Sequence, residues 1–136
     1  MTDPETFLTR FRRFGATPAP VLYEDLFDPE EGTVLHPGMK EPLHGREVGA
    51  YMERVLLTLP GFGFEILTTA VEGDTLFVEA RNRADLGGET VVWNTVYCLT
   101  LRGSRVLRGR AYFDRIPLMA RLFPTVALAE AAAWQV

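Results

Sequence analysis

The sequence predicts a single α+β domain, with N-terminal helices packed on one face of a strongly curved, mostly antiparallel sheet. Three observations carry this. Apolar residues recur at helical spacing up to Pro60 and at a period of two afterwards. The connections in the second half, "EGD", "DLGGE" and "RGS", are short, so consecutive strands must be antiparallel neighbours. With 136 residues and 47% hydrophobic content, the chain is the size of one domain, residues 1–136, with a sizeable core.

The first helix spans 4–14. Phe7, Leu8, Phe11 and Phe14 share a face, Asp3 is the candidate N-cap, Pro4 opens the first turn and Gly15 ends it. A second helix fits "PAPVLYEDLFDPEEG", burying Leu22, Tyr23, Leu26 and Phe27 before Pro29 and Gly32 break it. "TVLHP" is a short strand and "GMKEPLHG" a loop. A third helix runs from Arg46 and stops before Pro60-Gly61, with Val48, Tyr51, Met52, Val55 and Leu56 on one side. Strands follow at 62–71, 75–84, 90–101 and 105–114. The alanine-rich tail, 116–136, is predicted helical with an interruption near Pro124.

Alternation along the strands decides which side chains share an interior. In "LFVEARNRA", the phase Leu76, Val78, Ala80, Asn82, Ala84 is apolar except for Asn82. In "VVWNTVYCLTL", the aromatic phase of Trp93, Thr95 and Tyr97 is the better helix-facing side. In "VLRGRAYFD", Gly109 and Ala111 are small where a core wants bulk, which suggests space for a ligand beside Phe113. The expected chamber is lined by Trp93, Thr95, Tyr97, Asn82, Gly109, Ala111 and Phe113, with Tyr51 added from the third helix and His36 at the rim.

Composition removes several functions. A net charge of −4 argues against nonspecific nucleic-acid binding, which needs a basic surface. No long apolar run suggests a membrane span or a signal peptide, so a cytoplasmic protein is expected. Cys98 is the one cysteine, so no intrachain disulfide can form, and it reads as a small buried hydrophobe. His36 and His44 match no strong metal-ligand spacing, and neither a metal nor a cofactor is expected.

The order helix-helix-strand-helix-meander, with "DLFDPEEGTVLHPG", "PLHGRE" and "VLRGRAYFDRIPLMARL", resembles the nuclear transport factor 2-like superfamily, in particular its SnoaL-like and ketosteroid isomerase-like branch. The resemblance covers essentially the whole chain. It implies a cone-shaped cystatin-like roll, often a homodimer, with a pocket inside. Aligned on "VLHPGMKEPLHG", the general-base aspartate of the isomerases falls on His36, and their second carboxylic acid falls on Tyr97. The tyrosine of their first helix has no counterpart among Phe7, Phe11 and Phe14. The Arg/Asp pair of the epoxide hydrolases corresponds to Ala80 and Asn82, their second aspartate to Ala111 and its nearby tryptophan to Gly109, so that mechanism is lost. The acidic residue of SnoaL-type cyclases has its nearest match in Asp114.

Two functional classes follow. In the first, His36 acts as base, with Tyr97 and Asn82 polarising a carbonyl, for isomerisation or cyclisation of a small hydrophobic ligand without cofactor. In the second, the same fold binds a ligand without turning it over. Each residue also has a plainer reading: His36 as a strand-end histidine bonded to backbone, Asn82 as a satisfied core amide, Tyr97 as core filling. Asp114 is expected to cap the following helix or form a salt bridge, and His44 to serve the entry to the third helix. The outer face, with Arg81, Arg83, Arg108 and Arg110, is the expected surface for a homodimer.

Overall fold

The computed structural model describes residues 2–122. Helix α1, Pro4–Ala16, is capped by Asp3, whose carboxylate accepts the backbone N–H of Thr6 at 3.1 Å. Its phenylalanine stripe is buried, each ring contributing roughly 1.5–3 kcal/mol of transfer free energy. Gly15 does not end the helix as its type suggested. It lies inside the last turn because a Cβ there would stand 2.7 Å from Phe64.

Helix α2 is shorter than predicted, Pro20–Glu24. The chain leaves the helix because the backbone of Leu26 and Asp28 hydrogen-bonds Val106 at 2.8 and 2.9 Å. Strand β1, Thr33–Leu35, stops one residue before His36, which opens a turn closed by Met39 N–H donating to the His36 carbonyl. Part of the expected loop pairs with β1 as strand β2, Leu43–His44. Helix α3, Val48–Thr58, is entered through His44, whose backbone N–H donates to the Glu47 carboxylate at 3.0 Å. His44 itself is exposed, and its part is helix entry.

Strands β3 (Gly63–Glu72), β4 (Thr75–Leu86), β5 (Glu89–Arg102) and β6 (Arg105–Phe113) form the predicted meander. Gly87 and Gly88 make the β4–β5 turn, both with positive φ, as a two-residue hairpin of the favoured hand requires. The sheet order is β2-β1-β6-β5-β4-β3, antiparallel except for the parallel pair β1–β6. Register shifts between Ile66 and Thr68 and between Thr100 and Leu101 bend the long strands, which curves the sheet around the helices. Helix α4, Ile116–Leu122, follows Asp114, whose carboxylate accepts the Ile116 N–H at 3.0 Å, the capping role expected of it. The rest of the predicted tail helix, with Pro124, lies outside the described residues.

The predicted phases hold. Leu76, Val78, Ala80, Asn82 and Ala84 are buried, as are Trp93, Thr95 and Leu99 on β5. Cys98 departs from its reading: it is half-exposed on the outer face, 3.4 Å from an Arg110 guanidinium nitrogen. No helix among the described residues is long and apolar enough to cross a membrane.

Candidate functional site

The buried apolar residues fall into two clusters, one around α1 and the middle of the sheet, the other around Leu59, Trp93 and Leu118. Between them the described residues leave a hollow of about 330 Å³. The helices contribute Phe14, Tyr23, Tyr51, Met52, Val55 and Leu59, and the sheet contributes Asn82, Trp93, Thr95, Tyr97 and Phe113. His36 comes from the turn after β1, and Leu118, Met119 and Leu122 come from α4. No Asp or Glu is among these lining residues, whereas Arg54 and Arg115 are.

His36 is held on two sides. The Tyr23 hydroxyl lies 2.9 Å from its Nε2, and the Tyr51 ring stacks on the imidazole at 4.7 Å between centroids. Burial lowers its pKa from 6.5 to about 4, so the ring is neutral at pH 7. In one tautomer the phenol donates to Nε2. In the other Nε2–H donates to the phenol oxygen, which leaves the Nδ1 lone pair basic and frees the phenol proton to point elsewhere. Nδ1 has no protein partner among the described residues, and no buried side-chain polar atom there lacks one. Nδ1 is therefore open to solvent or ligand. Pro37, Gly38, Arg110 and Ala111 line a second hollow, of about 260 Å³, which His36 also lines.

Tyr23 and Tyr51 touch this ring, Tyr97 lines the same hollow, and all three phenols stay protonated. Burial raises the Tyr51 pKa to about 12, with Arg54 opposing. Tyr97 is pushed up further, by burial first and then by Tyr51, with Thr95 lowering it in part. Burial raises the Tyr23 pKa well above its ordinary value, and Tyr97 and Tyr51 add to it. An apolar enclosure disfavours the phenolate, and each phenol therefore remains a hydrogen-bond donor at neutral pH.

Of the sequence-derived residues, His36, Tyr97, Asn82, Trp93, Thr95, Phe113 and Tyr51 meet at the main hollow. Three corrections are needed. Asn82 is not a donor to a ligand: its amide nitrogen is committed to the Trp93 carbonyl at 3.1 Å and the Thr95 hydroxyl at 2.8 Å. The carbonyl of Trp93 can only accept, which fixes the amide with its nitrogen toward β5. Gly109 lines neither hollow; it is small because a Cβ would come within 3.1 to 3.4 Å of Leu99, Val106 and Val34. Ala111 faces the second hollow and not the first. Tyr23 was read as helix packing and missed as a site residue. It supplies a phenol beside the histidine that the first helix does not, and no local pattern marks it, since its partner lies thirteen positions away.

No family model matches the sequence, and no curated protein matches it. Solved structures match the fold. A protein of ketosteroid isomerase-like fold from Catenulispora acidiphila DSM 44928, in complex with trimethylamine, superposes with TM-score 0.76 at 20% identity over 88% of this chain and 93% of that one. TerC, co-crystallised with polyporic acid, gives 0.72 at 18% identity over 86% and 95%. A candidate SnoaL-like polyketide cyclase from Jannaschia sp. CCS1 gives 0.69 at 17% identity over 85% and 90%. The fold is thus that of the nuclear transport factor 2-like and ketosteroid isomerase-like proteins, as the sequence pattern predicts.

Proposed function

We propose that this chain binds a small, largely apolar ligand in the main hollow and moves a proton at a carbon next to a carbonyl, as an isomerase or cyclase without cofactor. The observation that carries this is His36, held neutral between Tyr23 and Tyr51 at a hollow lined by aromatic side chains and, among the described residues, by no carboxylate. In the tautomer with Nε2–H donating to Tyr23, Nδ1 accepts the proton from carbon. The Tyr97 hydroxyl then donates to the oxygen that becomes an enolate. Return of the proton to another carbon gives isomerisation; attack of the enolate on a second carbonyl gives cyclisation. A base whose conjugate acid has a pKa of about 4 is weak, so the C–H must be activated, as between two carbonyls. That requirement favours a poly-carbonyl compound over a simple ketone. Structural neighbours crystallised with small molecules support the binding part.

A second reading is a non-catalytic binding protein, favoured by the same low basicity and by an Asn82 amide that has no N–H left for a ligand. Benzoylacetone, an aryl dicarbonyl with an activated methylene, discriminates. Catalysis predicts that the protein accelerates deuterium uptake at that methylene and that His36→Gln removes about 100-fold or more of the acceleration while the probe still binds. Saturable binding with no acceleration selects the second reading; no binding removes both.

The homodimer belongs to this proposal. Phe77, Val92, Val96 and Tyr112 are exposed on the outer face of β4, β5 and β6, beside Arg81 and Arg110. An apolar patch rimmed by charge suits a second copy of the chain.

A further inference from the structure

Resting on that reading of the main hollow, we infer that its ligand carries a carboxylate, met at the rim by Arg54. Arg54 lies three residues after Tyr51 on α3, which puts the two side chains on one face of the helix. Both line the hollow, and the guanidinium's charge opposes the effect of burial on the Tyr51 phenol. Among the described residues the Arg54 guanidinium forms no hydrogen bond or ion pair, and its backbone carbonyl accepts from the Thr58 hydroxyl. Arg102, Arg105 and Arg81 are paired with carboxylates, and the described arginines that share the lack of a partner, such as Arg12, Arg46 and Arg108, do not line this hollow. Arg115 also lines the hollow, its guanidinium packed where a Cβ on Gly38 would lie 2.8 Å away, but it has an interaction of its own, and the carboxylate is assigned to Arg54 alone.

The lining is therefore apolar with positive charge and no negative charge among the described residues. A guanidinium presents a planar fork that a carboxylate satisfies with two parallel bonds, and at the exposed rim that pairing is modest and screened by salt. A neutral ligand would leave Arg54 to water alone, and a cationic one would be repelled. The arrangement sorts an amphipathic acid, with its apolar body inward against Trp93 and Phe62 and its acidic head at α3.

The test uses naphthylacetic acid and naphthylacetamide, which share their apolar body and differ in charge, titrated calorimetrically into the full chain at low salt. The acid binds about fivefold tighter than the amide, and added salt erodes the difference. Arg54→Gln brings the acid to the affinity of the amide and leaves the amide unchanged, and Arg54→Lys keeps part of the preference. Residue 54 is exposed on a helix, and far-UV circular dichroism verifies that the variants fold. Equal affinities in the wild type overturn the carboxylate preference alone, and an acid preference that survives Arg54→Gln overturns its assignment to Arg54. Failure of both probes to bind overturns the binding reading and this inference with it.

Discussion

The phenol oxygen of Tyr23 lies 2.9 Å from Nε2 of His36, tying α2 to the turn that follows β1. Without this bond a polar ring pressed against Tyr51 would carry an unmet nitrogen into an apolar wall, at a cost of about 1–3 kcal/mol. With it, one imidazole nitrogen is satisfied by protein and the other is left open. The pair therefore serves stability and function together, and the two contributions can be separated.

Replacing Tyr23 with Phe keeps the ring and removes the bond. Urea unfolding should show a loss of about 1–2 kcal/mol, the cost of a stranded Nε2. In a His36→Gln background the same change should cost measurably less, because the coupling is gone. Equal costs in both backgrounds would show that the hydroxyl and the imidazole do not interact.

The folded state holds the His36 proton less tightly than the unfolded chain, with a pKa of about 4 against 6.5. Between these values the unfolded chain binds more protons, so folding loses free energy as pH falls through that window. The contribution is complete above pH 6.5 and levels off below about 4, for a total of up to about 3 kcal/mol. Carboxylates with lowered pKa, such as Asp28, add their own acid sensitivity at lower pH. The decisive quantity is thus the difference between wild type and His36→Gln: the variant should show a flatter stability profile between pH 6.5 and 4. Parallel profiles would place the imidazole in water.

Much of this was legible in the chain. The period-two pattern of β4 exposed Asn82 as the polar residue on a buried face, because a half-buried strand repeats its environment every second residue. The helical stripe of α1 was legible for the equivalent reason. What the pattern could not supply was pairing between distant segments. Gly109 read as empty space. The parallel pairing of β1 with β6 brings Val34 opposite Gly109 and fills that space with a neighbour seventy-five positions away. The truncation of α2 has the same origin, in the backbone bonds from Leu26 and Asp28 to Val106. Orientation was also out of reach: alternation turned Asn82 inward but did not say that both its N–H groups would bond β5.

That geometry makes Asn82 a bracket between strands. Asn82→Asp removes both donors and sets a carboxylate against a carbonyl and a hydroxyl at a site that is 1% exposed. A loss of about 3 kcal/mol or more at pH 7 is expected, with recovery as acid protonates the side chain. Thr95→Val, which removes a single acceptor, should cost less, about 1–2 kcal/mol. Urea unfolding at two pH values measures both. If Asn82→Asp is as stable as wild type, the amide is not committed to β5.

The outer face of the sheet gives the last prediction. In the ladder, Val96 lies between Glu79 on β4 and Tyr112 on β6, and the next row holds Phe77, Cys98 and Arg110. Val96 is 42% exposed and Tyr112 is 55% exposed, an arrangement that leaves apolar surface in water unless it is covered. In the proposed homodimer formed through this face, the central residues lie near the two-fold axis, where each meets its own symmetry mate. Val96→Arg would then bring two like charges together in the middle of a contact already flanked by Arg110, at little cost to the monomer. Light scattering after gel filtration should show a dimer for wild type at micromolar concentration and a folded monomer for Val96→Arg. A wild-type monomer across the accessible concentration range, or a dimer indifferent to the arginine, would assign these exposed side chains to another role.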